Sequence, residues 1–179
     1  ENYFGHGEAG LTDRIVYSII KEAMKYAPLV LDEPQNYDYR ANIMWAATLA
    51  LNGTTQFGKT YGDWGVHGIG HILSFLYDTP HGASLSIAYP AWMKLHLNKL
   101  GQKISALGRH LFDIDKPEVC IYYLENFFRS ISSPVRLSEI HIREENSEEI
   151  VALMKKNEVN GLVHQLDEKD YQELVNLMM

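Results

Sequence analysis

The sequence predicts an all-α fold, a multi-helix bundle of about seven to nine helices. Three observations lead there. Apolar residues recur at helical spacing in one segment after another, and Asn, Asp, Gly and Pro punctuate the segments where helices start and stop. No stretch shows the sustained two-residue alternation of a half-buried strand.

The segments follow in order. From Leu11 a long core helix is expected, with Thr12 as its cap, Asp13 in the first turn and a stripe of Ile15, Val16, Ile19, Ile20, Ala23 and Met24. Asp32-Glu33-Pro34 ends it. A second helix, Tyr37 to Asn52, is apolar nearly all round from Ile43 to Leu51, which predicts a place at the centre of the bundle. Gly53 stops it and a polar loop leads to a third helix, capped by Asp63 and running to about Tyr77. After Asp78-Thr79-Pro80, His81 opens a helix that Pro90 kinks or interrupts before Trp92, with His96 on a solvent face. Gln102 to Leu111 reads as a short helix with His110 near its end, and Lys116 to Ser130 as a clearer one with Pro117 in its first turn. Leu137 to His141 is short, Ser147 to Lys156 is helical, and Asn160-Gly161 forms a turn. Asp167 caps the last helix, with Asp170 at its third position.

Composition narrows the function. The 179 residues suffice for one well-buried domain, and 46% of them are hydrophobic. The net charge of −7, with no Lys/Arg run longer than two residues, makes nucleic acid and anionic membrane surfaces poor candidates as partners. The most apolar run, Ile43 to Leu51, is about half of what a membrane span needs. A secretory signal pattern is lacking, and the single Cys120 suits a reducing compartment, so a cytoplasmic location is expected. Cys120 itself reads as a small core hydrophobe.

The chemistry concentrates between Gly62 and Trp92. His67 and His71 sit at i and i+4 and so share a helix face, and a reversal at Pro80 can bring His81 beside them. Neutral imidazole is a ligand for zinc, iron and copper. Gly65, Gly68 and Gly70 each weaken the helix interior, which calls for close approach of another backbone or of a ligand. Spacing alone leaves a second reading open, that of partly buried, hydrogen-bonded structural histidines. Trp64, Phe75 and Trp92 are candidates for an apolar wall or for plain core. A phosphate-cradling Gly-rich loop between strand and helix, a serine nucleophile elbow and a cysteine zinc pattern are all missing.

The order His67-x3-His71, His81-Gly82, Pro90-Ala91-Trp92-Met93 resembles the C-terminal helical domain of the iron-containing (group III) alcohol dehydrogenases, most closely their butanol-dehydrogenase-like branch. The likeness continues through LTDRI at Leu11, Arg40 to Gly53, GDW at Gly62, Phe127 to Pro134 and LDEKDY at Leu166. The resemblance implies the helical metal-binding domain of the dehydroquinate synthase-like fold, with His67 and His81 as metal ligands. It implies that His71 lies beside the metal, near substrate and nicotinamide, as a group that orients substrate or relays a proton. Fe2+ is the implied metal, with Zn2+ the alternative, and the implied reaction is hydride transfer between NAD(P)H and a small aldehyde or alcohol.

The family's remaining ligands, an Asp and a His, precede a Glu that Glu1 of Glu1-Asn2-Tyr3-Phe4 matches. The resemblance therefore places those ligands, and an N-terminal nucleotide-binding domain, ahead of residue 1. On that reading the 179 residues are one helical metal-binding domain that is inert alone, and its uncovered apolar face invites homo-oligomerisation. Two other functions remain open at this point: a helical interaction module with structural histidines, and a helical metal-dependent hydrolase.

Overall fold

The computed structural model describes all 179 residues and contains eight α-helices and no strand. The helices are α1 (Gly10–Asp32), α2 (Tyr37–Leu51), α3 (Gly65–Tyr77), α4 (His81–Leu95), α5 (Leu97–Phe112), α6 (Pro117–Ser130), α7 (Ser147–Lys156) and α8 (Glu168–Met178). One isolated antiparallel bridge, His6 to Tyr61, is all the β-pairing there is. His6 itself is exposed.

The caps explain most of the boundaries. Asn36 Oδ1 accepts the N–H groups of Asp38 and Tyr39 at 3.1 and 3.2 Å and starts α2. Asp167 and Asp170 form a reciprocal capping box on α8. Pro117 occupies the first turn of α6, where its missing N–H costs nothing. Gly53, at φ 91°, supplies the left-handed turn beyond α2.

Four expectations are corrected. Thr12 lies inside α1, and its hydroxyl donates to the Phe57 carbonyl at 2.5 Å, tying the loop after α2 to α1. The short helix expected over Gln102 to Leu111 begins earlier: α5 runs from Leu97 through Gly101 to Phe112. Pro90 stays inside α4, and the break comes instead at His96, where the backbone leaves helical ψ. His96 is then 3% exposed rather than on a solvent face, edge-on to Trp92 with ring centres 4.9 Å apart.

The largest correction concerns the centre of the bundle. It is α4, not α2, that packs against α3, α5, α6 and α8. Ile87, Ala88, Ala91, Trp92 and Met93 of α4 are at most 1% exposed. α4 can be surrounded because small residues, Ser84, Ser86, Ala88 and Ala91, let its neighbours come close. α2 packs chiefly on α1 and the turn Thr54–Gln56, and only Ala46 is buried along its length. Its other side shows Met44, Trp45 and Leu51 to solvent at 67%, 61% and 83% exposure.

Two buried polar clusters lock the elements that carry the histidines. The fully buried Asp63 carboxylate accepts the N–H of Gly65 at 3.2 Å, and those of Val163 and His164 at 2.9 and 2.7 Å. Asp63 is not the cap that the sequence predicts, because Trp64 takes that position; it stands one residue earlier, holds the first N–H of α3 and also clamps the loop before α8, a hundred residues away. Glu125 of α6, 4% exposed, takes hydrogen bonds from Lys94 of α4 and Arg136. Charges so buried are tolerated only in such company.

Candidate functional site

The site begins with the crossing of α3 and α4. At Gly70 a Cβ would come within 3.0 Å of Ser84 Oγ and also crowd Leu85, so glycine permits the close approach. At Gly65 a Cβ would meet the Asp63 carboxylate at 3.0 Å and the backbone of Gly161 at 3.1 Å. The glycines of α3 therefore serve packing, and Gly65 meets another backbone as the sequence led us to expect.

The crossing, together with the reversal through Asp78-Thr79-Pro80, brings His67, His71 and His81 into one cluster. Ring centres are 5.2 Å apart for His67 and His81, 5.5 Å for His71 and His81, and 6.1 Å for His67 and His71. His71 and His81 are exposed and His67 is half-buried. No backbone carbonyl holds any of the three rings. The cluster's one ring hydrogen bond joins His67 Nδ1 to the carboxylate of Glu1, which also accepts the His67 backbone N–H at 3.1 Å.

Of the three aromatic residues considered as a wall, Trp64 alone meets the cluster, edge-on to His67 at 5.3 Å. Trp92 is fully buried core, and Phe75, 79% exposed, stands one turn beyond His71 on the same face of α3 and packs on none of the three rings. A cavity of about 360 Å³, with an apolar lining dominated by residues of α1, α5 and α6, opens beside Glu1 and Tyr3. A second, of about 450 Å³, runs from His67 and Glu1 along α4 past Leu85 and Tyr89.

The donor set bears on which group could bind. Imidazole nitrogens suit a divalent transition metal, and His67 with Nδ1 engaged keeps Nε2 to offer. The set is short: no group of three or more His, Cys, Asp or Glu side chains is arranged to hold an ion. In donor chemistry the imidazoles fit a divalent metal, and in number they fall short of a complete ligand set. Glu1 is the member of the cluster to which no role could be assigned from sequence, because 66 residues separate it from His67.

The sequence profile of the Fe-containing alcohol dehydrogenase family, C-terminal, matches residues 1–179. The chain belongs to this family. It is 34% identical over 170 residues to the probable NADH-dependent butanol dehydrogenase 2 of Bacillus subtilis, covering 90% of this chain and 43% of that one. The NADPH-dependent aldehyde reductase YqhD of Escherichia coli is 32% identical over 161 residues, 87% of this chain and 41% of the relative. The crystal structure of NADH-dependent butanol dehydrogenase A from Thermotoga maritima superposes with a TM-score of 0.91 at 31% identity, over 98% of this chain and 48% of that one. The chain thus spans less than half the length of each relative. The all-α fold is that of the family's C-terminal part.

Proposed function

We propose that this chain is the metal-binding helical half of an NAD(P)-dependent alcohol dehydrogenase or aldehyde reductase. The observation that carries the reading is the convergence of His67 and His81, 5.2 Å between ring centres, in a chain of the iron-containing family. The names of the relatives supply the substrate class, butanol or an aldehyde, and both NADH and NADPH as reductants.

In this reading His67 and His81 hold a divalent metal, Fe2+ first and Zn2+ second. When bound, such an ion polarises a substrate oxygen as a Lewis acid. The chain's own residues do the rest. Glu1 and the Asp63 clamp hold the start of α3, and thereby His67, in place. His71, its ring stacked 5.5 Å from that of His81, orients substrate or passes a proton at the mouth of the cluster. Trp64 screens His67 from one side.

The nicotinamide cofactor and the remaining ligands belong to a nucleotide-binding domain outside these residues. The matched relatives are more than twice as long as their match to this chain. The exposed apolar side of α2 is also the kind of surface another domain covers. The 179 residues alone are therefore inert. The reading in which the histidines are structural asks for rings bonded to backbone carbonyls or turned apart, and neither is the arrangement of His67 and His81.

Two assays test the proposal together. The isolated chain, given butanal and NADH or NADPH with Fe2+ or Zn2+, should oxidise no cofactor, yet calorimetry should detect Zn2+ binding that His67→Ala and His81→Ala each weaken. Turnover abolished by His67→Ala would show that the chain is not inert. Zn2+ binding indifferent to both substitutions would overturn the metal reading.

A further inference from the structure

We infer that Glu1 is a positioning residue for His67: its carboxylate engages Nδ1 of the imidazole and so presents Nε2 to the divalent metal. The inference rests on the metal-binding reading of His67 and His81.

Three features of the contact carry it. The Glu1 side chain is 4% exposed, whereas that of His67 is 34% exposed, so the carboxylate lies beneath the ring and the ring's outer edge stays open. Both carboxylate oxygens serve one residue: Oε1 accepts the His67 backbone N–H at 3.1 Å and Oε2 pairs with Nδ1. The backbone N–H belongs to the first turn of α3, where donors have no partner within the helix. A cap alone would need a single oxygen. The second one fixes the plane and rotation of the ring.

The chemistry follows from the two nitrogens of imidazole. A neutral ring carries one proton, and a carboxylate at Nδ1 is an acceptor that keeps the proton there. Nε2 is left with its lone pair free, in a ring whose centre lies 5.2 Å from that of His81 and which borders an open cavity. A carboxylate behind a ligand imidazole also makes it a stronger donor, and loss of such a partner costs about 10- to 100-fold in metal affinity. His71 and His81 have no carboxylate of this kind on their rings. His67 is therefore the fixed ligand of the pair and His81 the one that adjusts.

The test uses the 179-residue chain with 15N-labelled histidine at about pH 8, above the ordinary imidazole range. Long-range proton–nitrogen spectra should show His67 as the Nδ1–H tautomer in the unsubstituted chain. In Glu1→Gln, whose single amide oxygen can still accept the backbone N–H, the ring should shift toward Nε2–H. Zn2+ affinity should fall about 10- to 100-fold with helix content unchanged. A Glu1→Gln chain that keeps the Nδ1–H tautomer, and binds Zn2+ within about twofold of the unsubstituted chain while His67→Ala and His81→Ala bind it weakly, overturns the role of Glu1 and leaves the metal site standing. Zn2+ binding unmoved by His67→Ala and His81→Ala removes the metal reading itself, and this inference with it.

Discussion

At the scale of single residues, Glu125 and His96 are groups whose burial makes them sensitive. Burial pushes the Glu125 carboxyl up, but hydrogen bonds and charge from Arg136 and Lys94 outweigh it and hold the group below its ordinary value. Glu125→Ala would leave two partly buried cations facing each other and should cost about 3 kcal/mol or more in urea unfolding. His96 behaves in the opposite chemical sense. Burial, then the nearby His164 and Lys99, lower its pKa to about 4, with Asp63 and Asp170 opposing weakly. The folded chain therefore binds fewer protons than the unfolded chain between the ordinary imidazole value and about pH 4, and stability falls as pH falls through that window. The loss should reach about 3 kcal/mol by pH 4. His96→Phe should flatten the slope of unfolding free energy between pH 7 and pH 5, a window that lies above the titration of Glu125. Cys120 is fully buried and its thiol is pushed up to about 12, in keeping with its reading as a core hydrophobe.

At the scale of elements, sequence reasoning located the helices well because caps are local. Asn36, Pro117 and Asp167 act within a turn of themselves, so α2, α6 and α8 begin close to where the sequence puts them. Packing is not local, and there the reading of α2 failed. Periodicity records which faces are apolar but not which face has a neighbour, so an all-round apolar pattern predicts a central helix where α2 lies at the edge. His96 departs from its predicted solvent face for a related reason: the turn between α4 and α5 redirects its side chain inward. The cluster of His67, His71 and His81 was legible because a helix period and one reversal determine it. Its partner Glu1, and the second role of Asp63, arise from contacts that no spacing rule reaches. Gly161 tests the Asp63 clamp at this scale. A Cβ there would collide with the Asp63 carboxylate and lie 2.7 Å from the His164 carbonyl oxygen, so Gly161→Ala should cost about 1 to 3 kcal/mol and loosen the loop before α8. Hydrogen exchange at Val163 and His164 should accelerate with it.

At the scale of the whole molecule, the chain is a helical body with three clustered imidazoles at its surface and an uncovered apolar side on α2. No helix is long and apolar enough to cross a membrane. The chain belongs to the iron-containing alcohol dehydrogenase family, whose matched relatives are more than twice the matched length, and in the proposed reading both features face the rest of a larger enzyme. That reading depends on His67 and His81 acting on one ion. That is tested most directly by titrating the chain with Zn2+ while following the imidazole nitrogens of both residues. The account predicts that the two Nε2 signals move together with one midpoint, and that His67→Ala abolishes the response of His81. Signals that move independently, or a His81 response that survives His67→Ala, would contradict it.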